Sequence, residues 1–392
     1  MSETQPTAVL LGPRDSVVAA AESLGLAVVI VDDPTQPRPP ATDWPVVETA
    51  WTESADELVE RLRAMEWSGP VSCFGFGEIG SVVSAVVNRE LGWPGNAPEA
   101  LHAFKDKAKL RSVVGDRAGK PVSHVVCRTR GELLPAIERI GHPCVVKPVD
   151  GTGSSGVRYL ADSGEAEKHV AEMAFSTPHL VEEFLTGREY SVEAMSGPAG
   201  HRIVAVTEKA TTGAPHFVET GHTLPVSLSP ADEAAVTELV TAMLDAVDYR
   251  YGPSHTEIML TAAGPRLIES HGRPGGDRIS DMLILALGED VFAQTMAAVF
   301  GLPVPSEPTG RRVAGIRYVT FDRTVPMHDI STALVASMPG VAEVHISVPA
   351  GQLPPSVSKS GDRHGFVVAV GDDRDELETR LEGAVRTLTA SP

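Results

Sequence analysis

The order of strand-like and helix-like segments constrains the fold of this chain more than any other feature, and that order changes near residue 100. Short runs rich in β-branched residues at 7–11 and 27–31 flank an apolar-periodic segment, and a third run at 71–75 precedes a helical pattern at 81–91. Strands that alternate with helices are typical of a parallel α/β domain. We therefore predict such a domain over residues 1–105.

Beyond the turn-rich segment at 92–98, paired strands replace this alternation. The predicted strands lie at 144–148, 157–160, 180–184, 189–196 and 202–208. Strand pairs between separate helices favour an α+β body. A chain of 392 residues is expected to form two or three domains, and the proline-rich segment at 303–308 marks a further boundary. The predicted domains are 1–105, 106–305 with a small lobe at about 115–185, and 306–392.

The overall charge argues against two classes of partner. The formal net charge of -19 disfavours electrostatic binding to nucleic acid or to an anionic membrane surface. The sequence shows no secretory signal and no apolar run long enough to cross a bilayer. Three scattered cysteines fit a reducing compartment better than a disulfide framework. We therefore expect a cytoplasmic protein that acts on small molecules.

A G-x-G-x-x-G pattern from Gly75 to Gly80 follows a predicted strand and opens a helix. This context suits a dinucleotide-binding turn, and an NAD-dependent dehydrogenase is the corresponding alternative function. However, the pattern does not follow the first strand, and no clear acidic residue ends a second strand about 20 residues later. We interpret the pattern as a strand-to-helix turn with close backbone packing.

A glycine-rich segment at 145–160 carries the strongest local signal. Lys147 ends a β-run and is followed by a loop with three glycines and two serines, Gly151, Gly153, Ser154, Ser155 and Gly156. Glycines let backbone N–H groups approach phosphate oxygens, and a lysine adds a point charge. The segment predicts a phosphate-binding loop, and the alternative is a glycine-rich β-hairpin with a surface lysine.

Two glutamates are predicted to face each other across a hairpin. Glu257 and Glu269 lie on alternating strands around a short loop, and they are directly opposite if the hairpin is symmetric about Ala263. Opposed carboxylates repel unless a cation lies between them, and hard oxygen ligands beside a nucleotide suit Mg²⁺. The alternative is an offset hairpin in which both carboxylates are solvated.

These motifs occur in an order that resembles the motif set of the ATP-grasp superfamily. The matching positions are Lys107, Lys147 with its loop, the acidic segment at 182–185 with Glu189, and Glu257 with Glu269 and Arg273. The resemblance covers roughly two-thirds of the chain. It implies an ATP-grasp fold of mixed α/β and α+β class, with a Rossmann-like N-terminal pre-ATP-grasp domain, a two-lobed ATP-binding body and a small C-terminal α+β domain.

The resemblance also implies roles for ATP and its ligands. By similarity, the phosphates are bound by Lys107, Lys147, Gly151, Gly153, Ser154, Ser155 and Gly156. The adenosine is held by Glu182, Glu183, Phe184, Leu185 and Glu189. Glu257 and Glu269 would bridge two Mg²⁺ ions, with Mn²⁺ as a substitute. His271 stands where many members of the superfamily have asparagine, so its contact with metal and its contact with substrate are both left open.

The implied reaction joins a carboxylate to an amine. The carboxylate attacks the γ-phosphate of ATP to give an acyl phosphate and ADP, and the amine then displaces phosphate. Arg273 would stabilise the charge that develops in both steps. The segments at 216–225, 272–277 and 359–381 resemble those of bacterial L-amino-acid ligases, the dipeptide synthetases of secondary metabolism.

That closer resemblance implies the substrate site. The residues predicted to bind substrate are Glu219, His222, Arg273, Gly275 and Gly276. Glu219 would pair with an ammonium, and His222, a second catalytic candidate, would donate to a carboxylate or phosphate. The turn that contains Asp362 and Arg363 is interpreted as structural. The alternatives are an enzyme of the purine or biotin-carboxylase type acting on a small acid, and a non-catalytic ATP-binding module. A homodimer is expected only from the resemblance.

Overall fold

The computed structural model describes residues 5–37, 43–151, 155–214, 217–303, 310–327 and 332–390. Within these ranges the strands form three sheets. One sheet is parallel and belongs to the N-terminal region, and the other two are antiparallel. The predicted change from alternating to paired strands near residue 100 is confirmed.

The first sheet contains four parallel strands in the order β3-β2-β1-β4. Its strands and helices, in chain order, are β1 Thr7–Leu11, α1 Asp15–Ser23, β2 Ala27–Asp32, β3 Val46–Glu48, α2 Asp56–Arg63, β4 Val71–Phe74 and α3 Glu78–Leu91. The central strands are buried because helices cover both faces of a parallel sheet. After β3 the chain returns to the far side of β1, so the carboxyl ends of β1 and β4 form a topological switch point, where open α/β sheets bind ligands.

The second sheet belongs to a small lobe and has the order β5-β8-β6-β7. The elements are α4 Pro98–Lys105, α5 Lys107–Val114, β5 His124–Cys127, α6 Leu133–Ile140, β6 Cys144–Pro148, β7 Arg158–Leu160, α7 Ser163–Glu172 and β8 His179–Glu183. Helices α6 and α7 cover one face, where Leu133, Ile137 and Val146 are buried. The face without these helices is the one that can border a ligand.

The third sheet has eight antiparallel strands in the order β13-β12-β9-β10-β11-β14-β16-β15. The strands are β9 Arg188–Gly197, β10 Gly200–Thr211, β11 Glu219–Leu224, β12 Gly252–Thr261, β13 Gly264–His271, β14 Val313–Val319, β15 Val341–Ile346 and β16 Gly365–Gly371. The helices are α8 Pro230–Ala246, α9 Ile279–Leu287, α10 Val291–Phe300, α11 Ala333–Ala336 and α12 Arg374–Thr389. This sheet is the scaffold on which the charged side chains described below are arranged.

The eight-stranded sheet continues across the domain boundary predicted at residue 305. Strand β11 pairs with β14 from Gly221 opposite Arg317 to Leu224 opposite Ala314. One buried apolar cluster also joins the N-terminal sheet to α10 and to the C-terminal strands through Leu10, Phe292 and Ile316, among others. The C-terminal region is therefore packed into the body, and the exact domain boundary stays a prediction.

The β12–β13 hairpin confirms the predicted pairing of Glu257 with Glu269, but the predicted symmetric loop is wrong. The register begins with Thr261 opposite Gly264 and then shifts, so that Ile268 is the extra residue of a β-bulge. Without the bulge, the two-residue turn would set Ile268 opposite Glu257 and turn Glu269 to the other face. The bulge is thus the local feature that brings the two carboxylates together.

Among the described residues, no single helix is long and apolar enough to cross a membrane. Helices α9 and α10 are long and apolar enough only when they are counted together, and the chain bends by 89° between them. Met282, Leu283 and Phe292 of this pair are buried in the protein core.

Candidate active site

One face of the large sheet carries most of the charged side chains that the sequence singled out. Glu257 lies opposite Glu269, and Lys209 lies opposite His222. The strands between them are in register, so the side chain of Glu189 points to the same side as these four residues. Five functional groups that are far apart in sequence therefore converge on one surface.

Lys209 is the centre of this surface, and the sequence analysis missed it. Its Nζ lies 2.7 Å from Glu189, 2.8 Å from Glu257 and 4.0 Å from Glu219, and its side chain is only 4% exposed. Burial opposes the charged form, but the three carboxylates outweigh it and raise the pKa of Lys209 above its ordinary value. The sequence around Lys209 carries no recognisable motif, because the carboxylates that contact this lysine lie on three other strands.

The two opposed glutamates are also held by cations. Lys107 Nζ lies 2.8 Å from Glu269, and His255 Nε2 lies 3.4 Å from Glu257. Despite burial, Lys209 and His255 lower the pKa of Glu257 to about 2, and His271 and Lys107 hold the pKa of Glu269 well below its ordinary value. Both carboxylates are therefore ionised at neutral pH.

This pair fits Mg²⁺ if a nucleotide supplies further oxygens. The described residues contain no cluster of three or more His, Cys, Asp or Glu side chains arranged to hold a metal. Mg²⁺ commonly takes only one or two protein carboxylates and completes its shell with phosphates and water. Glu257 and Glu269 meet that requirement. His271 contacts two carboxylates, Glu269 at 3.3 Å and Glu78 at 3.4 Å, and its contact with metal stays a prediction.

A cleft of about 140 Å³ lies between the small lobe and the large sheet. It is lined by most of the predicted ATP-binding residues, namely Lys107, Lys147, Gly151, Ser155, Glu182, Glu183, Phe184, Leu185 and Glu189. Gly156 follows Ser155 and has a φ of +75°, which suits glycine. Gly153 and Ser154 lie outside the described residues. The predicted set therefore converges on one cleft as far as the structure describes it.

The lysines of this cleft are fixed by local contacts. Asp106 caps α5 by accepting from the Lys109 N–H at 2.9 Å, which places Lys107 at the first helical position. Lys107 then donates to the Gly151 carbonyl at 2.6 Å. Lys147 lies 2.6 Å from Glu182, which also accepts from Arg111 at 3.0 Å.

The side chain of Glu182 has a role beside the predicted contact of its segment with adenosine, because it is buried against two cations. Burial favours the neutral acid, yet Arg111 and Lys147 lower the pKa of Glu182 to about 2. Glu182 is thus an anchor for Lys147, whose contact with phosphate stays a prediction. No sequence pattern indicated Arg111, the second cation.

A smaller chamber of about 130 Å³ adjoins the cleft, and the two share Lys209, Glu257 and Glu269. Four of the predicted substrate or catalytic residues line this chamber, namely Glu219, His222, Arg273 and Gly276. The chamber also contains His255, whose Nδ1 lies 3.0 Å from both oxygens of the buried Glu193. These side chains surround the space between the paired glutamates and the C-terminal region.

A further cavity of about 630 Å³ also borders Arg273. Its wall includes the carboxyl ends of β1 and β4, the loop after β13, helix α10 and the C-terminal region. Gly275, the fifth predicted substrate residue, lines this cavity together with Phe76, Phe292 and Phe366. The volume lies in the range of small-molecule sites, and the position coincides with the switch point of the parallel sheet.

Glu78 connects the N-terminal domain to this region. It is the first residue of α3, and its carboxylate lies 2.5 Å from Arg273 Nε. Burial opposes ionisation, but His271 and Arg273 lower the pKa of Glu78 to about 2. The G-x-G-x-x-G pattern that precedes it is a packed turn, since a Cβ on Gly75 would lie 2.2 Å from the Gly80 carbonyl oxygen. The interpretation as a close-packed turn is confirmed, and the pattern did not indicate that Glu78 contacts Arg273 and His271.

Family models match two parts of the chain. Residues 140–281 match an ATP-grasp domain, and residues 330–391 match the L-amino acid ligase C-terminal domain 2. Together with the fold and the lysine–glutamate cleft, these matches show that the chain contains an ATP-grasp domain and has the ATP-grasp fold.

Individual proteins are also similar to this chain. The crystal structure of an L-amino acid ligase from Bacillus licheniformis superimposes with a TM-score of 0.81 over 98% of both chains, at 20% sequence identity, which shows a shared fold. An uncharacterized protein of Sinorhizobium fredii is 30% identical over 76% of this chain and 64% of its own length. Carnosine synthase 1 from Gallus gallus is 30% identical over 67% of this chain and 31% of its own length. The chain thus spans less than two-thirds of these two sequence relatives.

Proposed function

We propose that this chain is an ATP- and Mg²⁺-dependent ligase that joins a carboxylate to an amine through an acyl phosphate, acting on amino-acid-type substrates. The observation that carries the proposal is the position of Arg273. It lies beside the chamber that holds Glu257 and Glu269, and it also borders the 630 Å³ cavity. A group transferred from a nucleotide in the cleft would meet a substrate from the cavity at this arginine.

Each proposed role follows from position and charge. Lys107 and Lys147 would bind the phosphates, and Arg273 would stabilise the negative charge that develops during transfer. Glu257 and Glu269 would hold Mg²⁺, which neutralises phosphate charge when bound; two ions, or Mn²⁺ in their place, belong to this proposal. The surrounding lobes exclude water, which would otherwise hydrolyse an acyl phosphate.

The substrate class rests on the cavity and on the relatives. Charged groups lie next to aromatic walls in the cavity, an arrangement that suits an amino acid with its ammonium, carboxylate and side chain. The C-terminal match is to a domain of L-amino acid ligases, and a carnosine synthase is among the sequence relatives. A role in secondary metabolism, a cytoplasmic location and a homodimer remain predictions.

The test is release of ADP and phosphate from Mg-ATP with amino acids supplied singly and in pairs, with mass spectrometry of the products. We expect release that requires two amino acids and a product mass equal to their sum minus water. Glu269→Ala and Arg273→Ala should abolish release while the variants keep cooperative unfolding. Release with bicarbonate alone would instead support a carboxylase-type activity, and ATP binding without turnover of any acid would support a non-catalytic module.

A further inference from the structure

His222 has a defined hydrogen-bonding state. Its Nε2 lies 2.9 Å from Oδ2 of Asp277. A carboxylate can only accept a hydrogen bond, so Nε2 carries a proton. Nδ1 is buried and has no hydrogen-bond partner among the described residues. A proton on Nδ1 would be a buried donor without an acceptor, which is unfavourable. The geometry therefore favours the neutral Nε2–H tautomer, with a lone pair on Nδ1.

Asp277 is fixed in the orientation that sets this tautomer. Arg363 donates to both of its carboxylate oxygens, at 2.7 and 2.9 Å. The guanidinium of Arg363 lies 3.5 Å from the centre of the Tyr318 ring, which holds it from the other side. Burial opposes ionisation of Asp277, but His222 and Arg363 hold its pKa well below the ordinary value. Asp277 is therefore ionised and accepts the hydrogen bond from His222 Nε2.

The backbone also limits where Asp277 can point. Its φ is +52°, and that of Arg278 is +63°, so two consecutive residues other than glycine adopt the left-handed region. Such conformations persist only where surrounding contacts impose them. Asp277 is held by two contacts, its hydrogen bond with His222 and its ion pair with Arg363, a residue of the C-terminal region.

His222 is placed where a proton must be removed in the proposed reaction. It lines the chamber that also contains Glu257, Glu269 and Arg273. Arg273 and Asp277 in turn border the large cavity, from which an amine would approach. An amine that forms an amide bond must lose a proton, and a neutral imidazole is the usual acceptor near neutral pH.

We propose that His222 accepts the proton of the attacking amine through Nδ1, and that Asp277 and Arg363 are positioning residues that hold the required tautomer. In this step the amine nitrogen bonds to the acyl carbon, and the bond from that carbon to the phosphate oxygen breaks. The electron pair leaves with phosphate, and the nitrogen proton passes to Nδ1 and then to the departing phosphate. This inference rests on the proposed function and changes the expected role of His222 from donor to acceptor.

The tautomer can be measured without any substrate. Long-range ¹H–¹⁵N correlation spectra of histidine-labelled protein, assigned with His222→Gln, report which ring nitrogen carries the proton. We expect a protonated Nε2 and an unprotonated Nδ1, and a mixture of tautomers in Asp277→Asn. A protonated Nδ1 in the wild-type protein would overturn the proposal.

Trapping with hydroxylamine distinguishes a role of His222 as a base in amide formation from a role in acyl-phosphate formation. Hydroxylamine is a nucleophile that is largely unprotonated at neutral pH. The probe is an equimolar mixture of the twenty protein amino acids with Mg-ATP. His222→Ala should form hydroxamates at a rate near that of the wild type, while amide formation falls about 100-fold. Equal loss of both products would show that His222 acts in phosphoryl transfer or folding, and the base role would be wrong. Absence of hydroxamate in the wild type would count against the proposed function itself.

The positioning role is tested with Arg363 variants. Arg363→Ala should lower the kcat of amide formation about tenfold or more, with little change in the KM for ATP, because Asp277 loses the partner that orients it. Arg363→Lys should restore part of the rate, and imidazole in solution should rescue His222→Ala. Arg312→Ala is the matched control, since it removes an exposed pair with Asp372 from the same region. An unchanged kcat in Arg363→Ala, with the wild-type tautomer retained, would refute the positioning role.

Discussion

At the scale of single residues, charge compensation determines how three carboxylates can lie together in one buried site. Lys209 occupies the space between Glu189 and Glu257, where their negative charges would otherwise repel each other in a buried setting. The pKa of Glu189 is raised by burial and by Glu257, even though Lys209 opposes both effects. Lys209 therefore neutralises part of the negative charge that a divalent cation is also proposed to neutralise.

Lys209→Met should destabilise the protein by about 3 kcal/mol or more, because a buried charge pair is broken rather than replaced. Added Mg²⁺ should then recover more stability in the variant than in the wild type, since the carboxylates lack their cation. Urea unfolding with and without Mg²⁺ measures both effects. Lys209→Arg is the control that keeps the charge, and an equal response of all three proteins to Mg²⁺ would contradict the metal assignment.

Asp33, which lies outside the candidate site, is a carboxylate held by hydrogen bonds from two threonines. It accepts from the Thr35 N–H at 2.9 Å and from the Thr52 N–H at 3.0 Å. Burial raises its pKa, but hydrogen bonds from the two threonines prevail and lower the pKa from 3.8 to about 2. Because the folded pKa is the lower one, the stabilisation is present above pH 4 and is lost as the pH falls toward 2.

Asp33→Asn should therefore cost about 1–3 kcal/mol at pH 7, where the carboxylate is ionised and an amide nitrogen cannot accept these bonds. The difference from the wild type should shrink as the pH is lowered from 5 to 3. Urea unfolding across this range tests the sign. A difference that grows on acidification would show that the carboxyl is not stabilised in its ionised form.

At the scale of secondary-structure elements, the β4–α3 turn shows what a sequence motif can and cannot reveal. The three glycines of the pattern were predicted as a packed turn, and Gly75 indeed approaches the backbone of Gly80. The same motif gave no indication that Glu78 would contact Arg273, because 195 positions separate the two residues. Local packing is encoded in neighbouring residues, whereas that contact depends on how two domains meet.

Gly75→Ala should destabilise the protein by about 3 kcal/mol, because the added Cβ would overlap backbone atoms that cannot move aside as a side chain can. Gly77→Ala is the matched control two positions away. A Cβ there meets nothing within 4 Å and its φ is −96°, so we expect a change below about 1 kcal/mol. Thermal unfolding of both variants gives the comparison, and similar values for the two would refute the packing argument.

The β12–β13 hairpin has the predicted residue pairing but not the predicted loop. A hairpin symmetric about Ala263 predicted that Glu257 and Glu269 would face each other, and they do, but through a shorter turn and a bulge. Sequence could not show the bulge at Ile268, because alternation fixes the face of a side chain but not where a register shifts. Lys209 was missed for a related reason, since its partners lie on other strands. Arg363 was interpreted as part of a structural turn, and its ion pair with Asp277 was not predicted because the two residues are far apart in sequence.

At the scale of the whole molecule, the shared eight-stranded sheet makes the C-terminal region part of the structural body. A chain that ends after residue 303 would lose β14 and expose the edge of β11 together with apolar residues of the common core. Unpaired strand edges and large apolar patches promote association. We expect this truncated chain to aggregate, as measured by soluble yield and size-exclusion chromatography. A soluble monomer with cooperative unfolding would instead support an independent C-terminal domain.

The pairing of β11 with β14 also has a consequence for the order of synthesis. Every residue of the predicted nucleotide set leaves the ribosome before β14, and Arg363 follows later still. A nascent chain that has just passed Glu269 therefore contains the lysines and glutamates of the cleft but lacks the neighbour of β11 and the ion pair that holds Asp277. On the function proposed above, the order of synthesis postpones amide formation until the C-terminal region has been made.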